Sequence, residues 1–319
     1  MEYVLGIDLG ATNLKAALVD KDGKTKGFQS IPTQKGNGPQ PVLDQILDLI
    51  FGFKNKLEEK DHLIGVGLAL PGSVDVDSGV CLYSPNLGWK NEEVSKKLQE
   101  CTELGVKLIN DANAACLGEY FFGAGKGRGN LICITIGTGI GTAFILENKL
   151  FVGASGFAGE GGHMVINPFG PHCSCGRRGC WEALVSASGI VARAKKEIES
   201  QNLKTNLERY KDSLSTEIIV EAARQGDRLA LKVLEETREY LAIGLVNLVN
   251  IFNPEQIVLA GGVIGAKDIL FNGLEKLVKK AVFPGFCPEL EISFSKLGNL
   301  AGVMGAASLW FKPVKMIKG

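Results

Sequence analysis

The 319-residue chain has no apolar run of membrane-spanning length, only 3 histidines, and no surplus of either charge, since 35 lysines and arginines balance 35 aspartates and glutamates. Without a long apolar run there is no candidate transmembrane helix, and the opening MEYVLGID lacks the basic region of a signal peptide. Charge balance removes the overall basic field that would draw the chain to nucleic acid or to a membrane surface. No G-x-x-x-x-G-K-S/T run occurs, so a P-loop is excluded. Paired cysteine spacings are missing as well. Cys81, Cys101, Cys116, Cys133 and Cys287 are scattered, which predicts buried thiols in a reducing, cytoplasmic compartment rather than a disulfide framework. With 45% hydrophobic residues the chain can build a sizeable core and two domains.

Histidine and cysteine are densest in one stretch. Gly156 to Glu182 reads GFAGEGGHMVINPFGPHCSCGRRGCWE and holds two of the three histidines and three of the eight cysteines. Cys173, Cys175 and Cys180 form a C-x-C-x4-C run, and Gly176 and Gly179 let a short loop wrap three sulfurs round one centre. A closed tetrahedral zinc site needs a fourth ligand, and His163 and His172 are the choices. His163 is favoured, because His172 is the immediate neighbour of Cys173 and would need a strained turn to share the ion.

Along the chain, Val4 to Ile7, Lys15 to Val19 and a stretch near Phe28 to Ile31 read as a β-meander. A helix opens at Pro41, a buried strand runs from Leu63 to Leu70, and Asn91 is expected to cap a short helix through Leu98. Val106 to Ile109 is a further buried strand, leading into a helix through Phe122. GAGKGRGN, residues 123–130, has the glycine content of a hinge or linker. After it Leu131 to Ile136, a Gly/Thr turn, Ala143 to Leu146, a tight turn and Leu150 to Val152 repeat the opening order, which predicts a structural duplication. The later part is mainly helical, with helices at Ser188 to Glu199, Ser215 to Gln225, about Asp227 to Phe252, Lys267 to Ala281 and Leu300 to Trp310. Strand and helix alternate, so the fold is α/β.

Three short motifs carry chemistry. Asp8-Leu9-Gly10-Ala11-Thr12-Asn13 puts a carboxylate at a strand end and a glycine and hydroxyl in the following turn, where backbone N–H groups can cradle phosphate and Asp8 can approach its magnesium. Alone, this pattern is more often a plain turn. Gly137-Thr138-Gly139-Ile140-Gly141-Thr142 is the equivalent turn of the second repeat, and with the first it would make a phosphate clamp. A dinucleotide fingerprint fails there, because Thr142 replaces the last glycine and a strand follows. Asn110-Asp111-Ala112-Asn113 lies where a buried strand meets a helix N-terminus, whose dipole favours an ionised Asp111. It reads equally well as a helix cap.

Taken in order, D-x-G-x-T-N-x-K, N-D-A-N, G-T-G-x-G, G-E-x-G-H and C-x-C-G-x-x-G-C-x-E resemble the ROK sugar kinases, most of all bacterial glucokinases of that family, over about Val4 to Trp310. The resemblance implies a two-domain actin-like ATPase fold, a duplicated ribonuclease-H-like α/β architecture with a zinc-binding loop. Its small domain would be residues 1–118 with the C-terminal helix 303–319, and its large domain 119–302. It implies ATP bound with Mg2+ by Asp8, Gly10, Thr12, Asn13 and Lys15, by Gly137, Thr138 and Gly139, and on the adenosine side by Gly261 and Gly262. Asp111 would be the base facing the sugar 6-hydroxyl, while Asn110, Glu160, His163 and Glu182 hold other hydroxyls and Gly72 and Asn86 wall the cup. Structural Zn2+ would sit on His163, Cys173, Cys175 and Cys180.

The reaction implied is ATP-dependent phosphorylation of D-glucose to glucose 6-phosphate. N-acetylmannosamine, mannose and fructose are the other hexoses such a cup could serve. A sugar-sensing regulator of the same family is the competing class, although Asp8 stands too near the start for a preceding helix-turn-helix. The resemblance also implies a homodimer, while the charge balance and the lack of a long apolar run predict no nucleic-acid or membrane partner. Because metal and sugar ligands alternate between Gly156 and Glu182, and the phosphate turns lie elsewhere, losing the metal is expected to weaken sugar binding much more than nucleotide binding.

Overall fold

The computed structural model describes residues 1–34, 36, 38–200, 203–284 and 289–317. By contact the chain divides into two compact units, the first Met1–Cys133, Ala143–Gly159 and Ser295–Gly319, the second Ile134–Thr142 and Glu160–Phe294. This differs from a division after residue 118, for a physical reason given below.

The first unit opens with the meander β1 (Glu2–Leu9), β2 (Asn13–Val19) and β3 (Thr25–Pro32), followed by α1 (Gln40–Lys54) and β4 (His62–Leu70). A small antiparallel sheet, β5 (Ser73–Asp75), β6 (Val80–Ser84) and β7 (Trp89–Glu92), precedes α2 (Val94–Thr102), β8 (Val106–Asn110) and α3 (Asp111–Phe122). Asn91 is therefore no helix cap. It lies in β7 with a left-handed φ of 50°, and α2 starts two residues beyond that strand. The main sheet runs β3-β2-β1-β4-β8. β1, β4 and β8 are parallel, with Asp8 opposite Ala69 and Leu70 opposite Asn110. Their carboxyl ends thus deliver Asp8, Gly72 and Asn110-Asp111 to one edge, where open α/β sheets place ligands.

Both faces of that sheet are covered. Leu5, Ile7 and Leu9 join a core with Ile46, Ile50 and Phe53 of α1 and Leu98 of α2. The alternate positions face α9 (Ala301–Phe311), as period-two strands require. There Gly6 lies against the Val303 carbonyl and Gly67 against that of Ala306, and a methyl at either place would collide with helix backbone. Gly118 meets the Ala301 carbonyl and Gly305 that of Ala114, so α9 and α3 also touch through bare backbone. Trp310 covers Gly65 and Gly105 and donates its Nε1–H to the Val66 carbonyl at 3.0 Å.

The second half of the chain contains β9 (Leu131–Ile136), β10 (Ile140–Leu146), β11 (Lys149–Phe151), α4 (Trp181–Val185), α5 (Ala187–Ser200), α6 (Thr216–Arg224), α7 (Arg228–Phe252), β12 (Gln256–Ala260), α8 (Leu274–Ala281) and β13 (Glu291–Phe294), with β14 (Met316–Ile317) near the C-terminus. The order β11-β10-β9-β12-β13 within its sheet reproduces β3-β2-β1-β4-β8, as the duplication predicts, with β14 added beside β11. The expected helix from Lys267 is shorter. Gly262–Ala266 forms a 3-10 turn, and Gly273, at a left-handed φ of 75°, delays α8 to Leu274. Within the second unit α7 starts on Asp227, whose side chain accepts from Leu229 and Ala230 N–H, and it seats the fully buried Trp181 over Gly244.

Residues 123–130 behave as part of the first unit. Glu119, 1% exposed, accepts from Ala124 N–H at 2.7 Å and Lys296 N–H at 3.3 Å through Oε2, and from Ser295 Oγ–H at 2.5 Å and Leu297 N–H at 3.1 Å through Oε1. Asn148 N–H reaches the Gly129 carbonyl and Glu147 N–H the Asn130 side chain. These bonds move the division from residue 118 to Cys133. Cys81, Cys116 and Cys133 are buried thiols as expected, but Cys101 is exposed on α2, and Cys287 lies outside the described residues. Among the described residues no helix is long and apolar enough to cross a membrane. Glu119→Ala should cost about 3 kcal/mol or more, because four donors lose one buried charged acceptor. Urea unfolding measures this, and an unchanged midpoint would show that the carboxylate holds nothing together.

Candidate functional site

In the first unit, the turn after β1 is closed by Gly10 N–H donating to the Asn13 carbonyl at 2.9 Å. Thr12 and Asn13 stand exposed at its tip. Thr33 braces the turn from the end of β3, its hydroxyl donating to the Gly10 carbonyl at 2.7 Å and its N–H to that of Thr12 at 2.9 Å. Nothing in the local sequence marks Thr33, which acts on residues some twenty positions earlier. Asp8 lies 3.7 Å from Lys15 Nζ and against Gly302. Burial pushes the Asp8 carboxyl above the usual carboxylate range, with Lys15 pulling the other way.

Asn110 caps α3 by accepting from Asn113 N–H at 3.0 Å, and its amide donates to the Gly72 carbonyl at 3.0 Å and Asp111 Oδ1 at 3.1 Å. Oδ1 of Asp111 also accepts from Ala112 N–H at 2.8 Å. Cap and carboxylate are one arrangement, so the two readings of Asn110-Asp111 are compatible. Gly72, at φ 114°, packs where a side chain would strike the Tyr83 carbonyl. Asn86 stands exposed on the turn between β6 and β7. A cavity of about 350 Å³ beside Asn110 is walled by Val74, Leu82, Val152 and Met316.

In the second unit, one donor atom each from His163, Cys173, Cys175 and Cys180 lies within 4.8 Å of the others. The His163 Nδ1 to Cys173 Sγ distance is 3.6 Å, as is that from Cys175 Sγ to Cys180 Sγ. Zn–S bonds of about 2.3 Å and Zn–N bonds of about 2.0 Å need tetrahedral edges near these lengths. Three thiols and one imidazole therefore fit a single ion. His163 turns Nδ1 to the thiols and Nε2 to Glu160, 3.8 Å away. His172 is exposed and paired with Arg178 instead, at 2.7 and 3.0 Å. The loop is tight because Gly176 and Gly179 take φ of 87° and 70°, and a side chain on Gly179 would strike the Asn167 carbonyl. The backbone amide and guanidinium of Arg177 hold the Cys175 thiol down to about 6, while burial pushes Cys180 up to about 12.

Glu182 follows Cys180 and joins this cluster to the glycine turn. Its Oε2 accepts from Ile140 N–H at 2.9 Å beside Gly139, and its Oε1 lies 3.9 Å from Cys173 Sγ. Gly137 is open on its outer side and Thr138 is exposed. Gly261, at φ 98°, lies against the Ile136 carbonyl, and the space beside Gly262 is open.

Two sheets of one strand order, each with a Gly/Thr turn after its first strand, define an α/β protein of the actin-like ATPase class. The chain belongs to the ROK family, whose sequence model matches residues 4–312. It is 36% identical to a glucokinase of Thermotoga maritima over 310 residues, covering 96% of each chain. The crystal structure of a ROK family glucokinase from Streptomyces griseus in complex with glucose and AMPPNP superposes with a TM-score of 0.84 at 32% identity, covering 96% of this chain and 98% of that one. The xylose repressor of Bacillus subtilis is 33% identical over 308 residues, covering 96% of this chain but 76% of the repressor.

The double duty of Asn110 yields a direct expectation. Asn110→Ala should lower stability by about 2 kcal/mol, from a lost cap and a lost side-chain bond to the Gly72 carbonyl. Thermal or urea unfolding that matches the wild type would refute the cap.

Proposed function

We propose that this protein transfers the γ-phosphoryl group of ATP to the 6-hydroxyl of D-glucose. The observation that carries this reading is the pairing, within one short loop, of a four-donor metal cluster with Glu160, His163 Nε2 and Glu182. Sugar hydroxyls need several rigid partners of this kind. The glucokinase relatives support the same choice of sugar and nucleotide.

In the reaction, Asp111 accepts the proton of the 6-hydroxyl as that oxygen bonds to the γ-phosphorus and the bond to the ADP oxygen breaks. Its hydrogen bonds from Asn110 and Ala112 N–H orient the carboxylate for this. Asn110, Glu160, His163 and Glu182 hold the remaining hydroxyls, with Gly72 and Asn86 as the wall. Backbone N–H groups around Gly10, Thr12 and Asn13 and around Gly137, Thr138 and Gly139 stabilise phosphate charge, with Lys15 adding its own and Gly261-Gly262 beside the adenosine. Catalysis is then mostly alignment and charge stabilisation. Mg2+ would be held with the phosphates by Asp8, a half-buried carboxylate beside Lys15, and would neutralise their charge. Zn2+ would be held by His163, Cys173, Cys175 and Cys180, which fill its four positions and give it a structural part.

The same residues could serve mannose, fructose or N-acetylmannosamine. The repressor relative keeps a sugar-responsive regulator as the second reading. A panel of these sugars in a coupled ADP-release assay decides among them, with glucose expected to give the highest kcat/KM. Turnover with none of them would favour the regulator. Asp111→Ala should reduce kcat by at least about 10²-fold with little change in sugar affinity, and near-normal turnover would remove Asp111 from the role of base.

A further inference from the structure

The metal loop and the glycine turn between β9 and β10 form one hydrogen-bonded piece. Three groups between Glu182 and Ser188 hold the turn on one side. Glu182 Oε2 accepts from Ile140 N–H at 2.9 Å, Ala187 N–H donates to the Gly137 carbonyl at 2.8 Å, and Ser188 Oγ–H donates to the Thr138 carbonyl at 2.8 Å. A second arm comes from the residues between Glu160 and His163. Gly161 N–H donates to Thr142 Oγ1 at 3.0 Å, and Gly162 packs where a methyl would strike the Ile140 carbonyl. Both arms end on metal donors, His163 in one and Cys180 in the other.

The link through α4 is short. Cys180 immediately precedes the helix, Trp181 N–H donates to the Met164 carbonyl at 2.8 Å, and Glu182 is the second helical residue. A helix of five residues has no stability of its own, so its direction is set by what fastens its ends. At this end the fasteners are Trp181 and the metal cluster.

We propose that Glu182 and Ser188 are positioning residues for the phosphate-binding turn, and that through them metal occupancy sets nucleotide affinity as well as sugar affinity. This rests on the ATP-binding reading above. It replaces the expectation that metal loss weakens sugar binding much more than nucleotide binding, since that expectation took the phosphate turn and the metal loop to be separate. Ser188 is the cleaner probe, being exposed and neither a metal donor nor a sugar ligand.

The test is calorimetric titration of the zinc-loaded protein with AMPPNP and, separately, with glucose, beside hydrogen exchange at the Ile140 amide. Ser188→Ala should bind AMPPNP roughly three- to tenfold more weakly, the worth of one hydrogen bond, and keep its zinc and its glucose affinity. Ser188→Thr, which restores a hydroxyl, should recover the affinity. Removing zinc with a chelator should speed exchange at Ile140 and weaken AMPPNP at least tenfold. If the zinc-free protein unfolds, the Ser188 pair decides the matter in the zinc-loaded state. Wild-type AMPPNP affinity in Ser188→Ala would overturn the proposal. So would a folded zinc-free protein with unchanged Ile140 exchange. A wild-type protein that binds no AMPPNP at all would instead overturn the functional reading.

Discussion

Much of the first unit depends on backbone lying directly against backbone. Helix α9 comes from the far end of the chain, yet it runs across β1 and β4 at a distance only glycine allows, with Gly6 and Gly67 below it and Gly118 of α3 beside it. Every α9 residue from Ala301 to Leu309 is buried, and most are small. Close packing here is geometrically severe, because carbonyl oxygens occupy the places where side chains would be. It gives the site its frame. Asp8 ends a strand pressed on α9, Gly302 of that helix touches the Asp8 carboxylate, and Asp111 begins the helix that α9 grips. Ala at Gly67 would press on backbone, which cannot turn aside as a side chain can.

The second unit solves a similar problem with side-chain chemistry. Its loop from Glu160 to Glu182 has little regular structure, and between the 3-10 turn at Gly161–His163 and α4 it is held by isolated bridges such as Val165 with Cys180. Such a segment buries too little apolar surface to offset the entropy of ordering it. Four metal donors within 4.8 Å can supply the missing free energy, because binding an ion to donors that are dispersed in the unfolded chain stabilises the folded one. Trp181, fully buried over Gly244 with its Nε1–H on the Tyr240 carbonyl at 3.0 Å, provides the apolar anchor beside it.

Features governed by a few adjacent residues were legible in the sequence. Strand positions, the helix starts near Ser215 and Asp227, and the glycine-spaced cysteines follow from local rules, and the repeat of strand, turn and strand predicted the matching strand orders. What was not legible depends on distant partners or on one backbone angle. Asn91 looks like a cap, but its left-handed φ belongs to a strand end. Residues 123–130 look like a linker, but Glu119 and the returning segment at Ser295 tie them down. Thr33 and Ser188 carry no motif, since each supports a turn through a partner far away in the chain.

Those last two residues reveal how the repeats have diverged. In the first, β3 has eight residues and pairs along β2 as far as Asn13 with Pro32, so the next residue but none, Thr33, reaches the turn at Gly10 to Thr12. The sheet therefore braces its own glycine turn. In the second, β11 has three residues and meets β10 at Ile145 and Leu146, the far end of that strand. No residue of β11 comes near Gly137 to Ile140 in that register. An unbraced glycine turn would sample many conformations. The support that β3 gives the first turn is supplied to the second by Glu182, Ala187 and Ser188. Shortening of the third strand and the presence of the Cys/His loop are thus two sides of one structural exchange, in which that loop and the start of α5 replace a sheet edge as the brace.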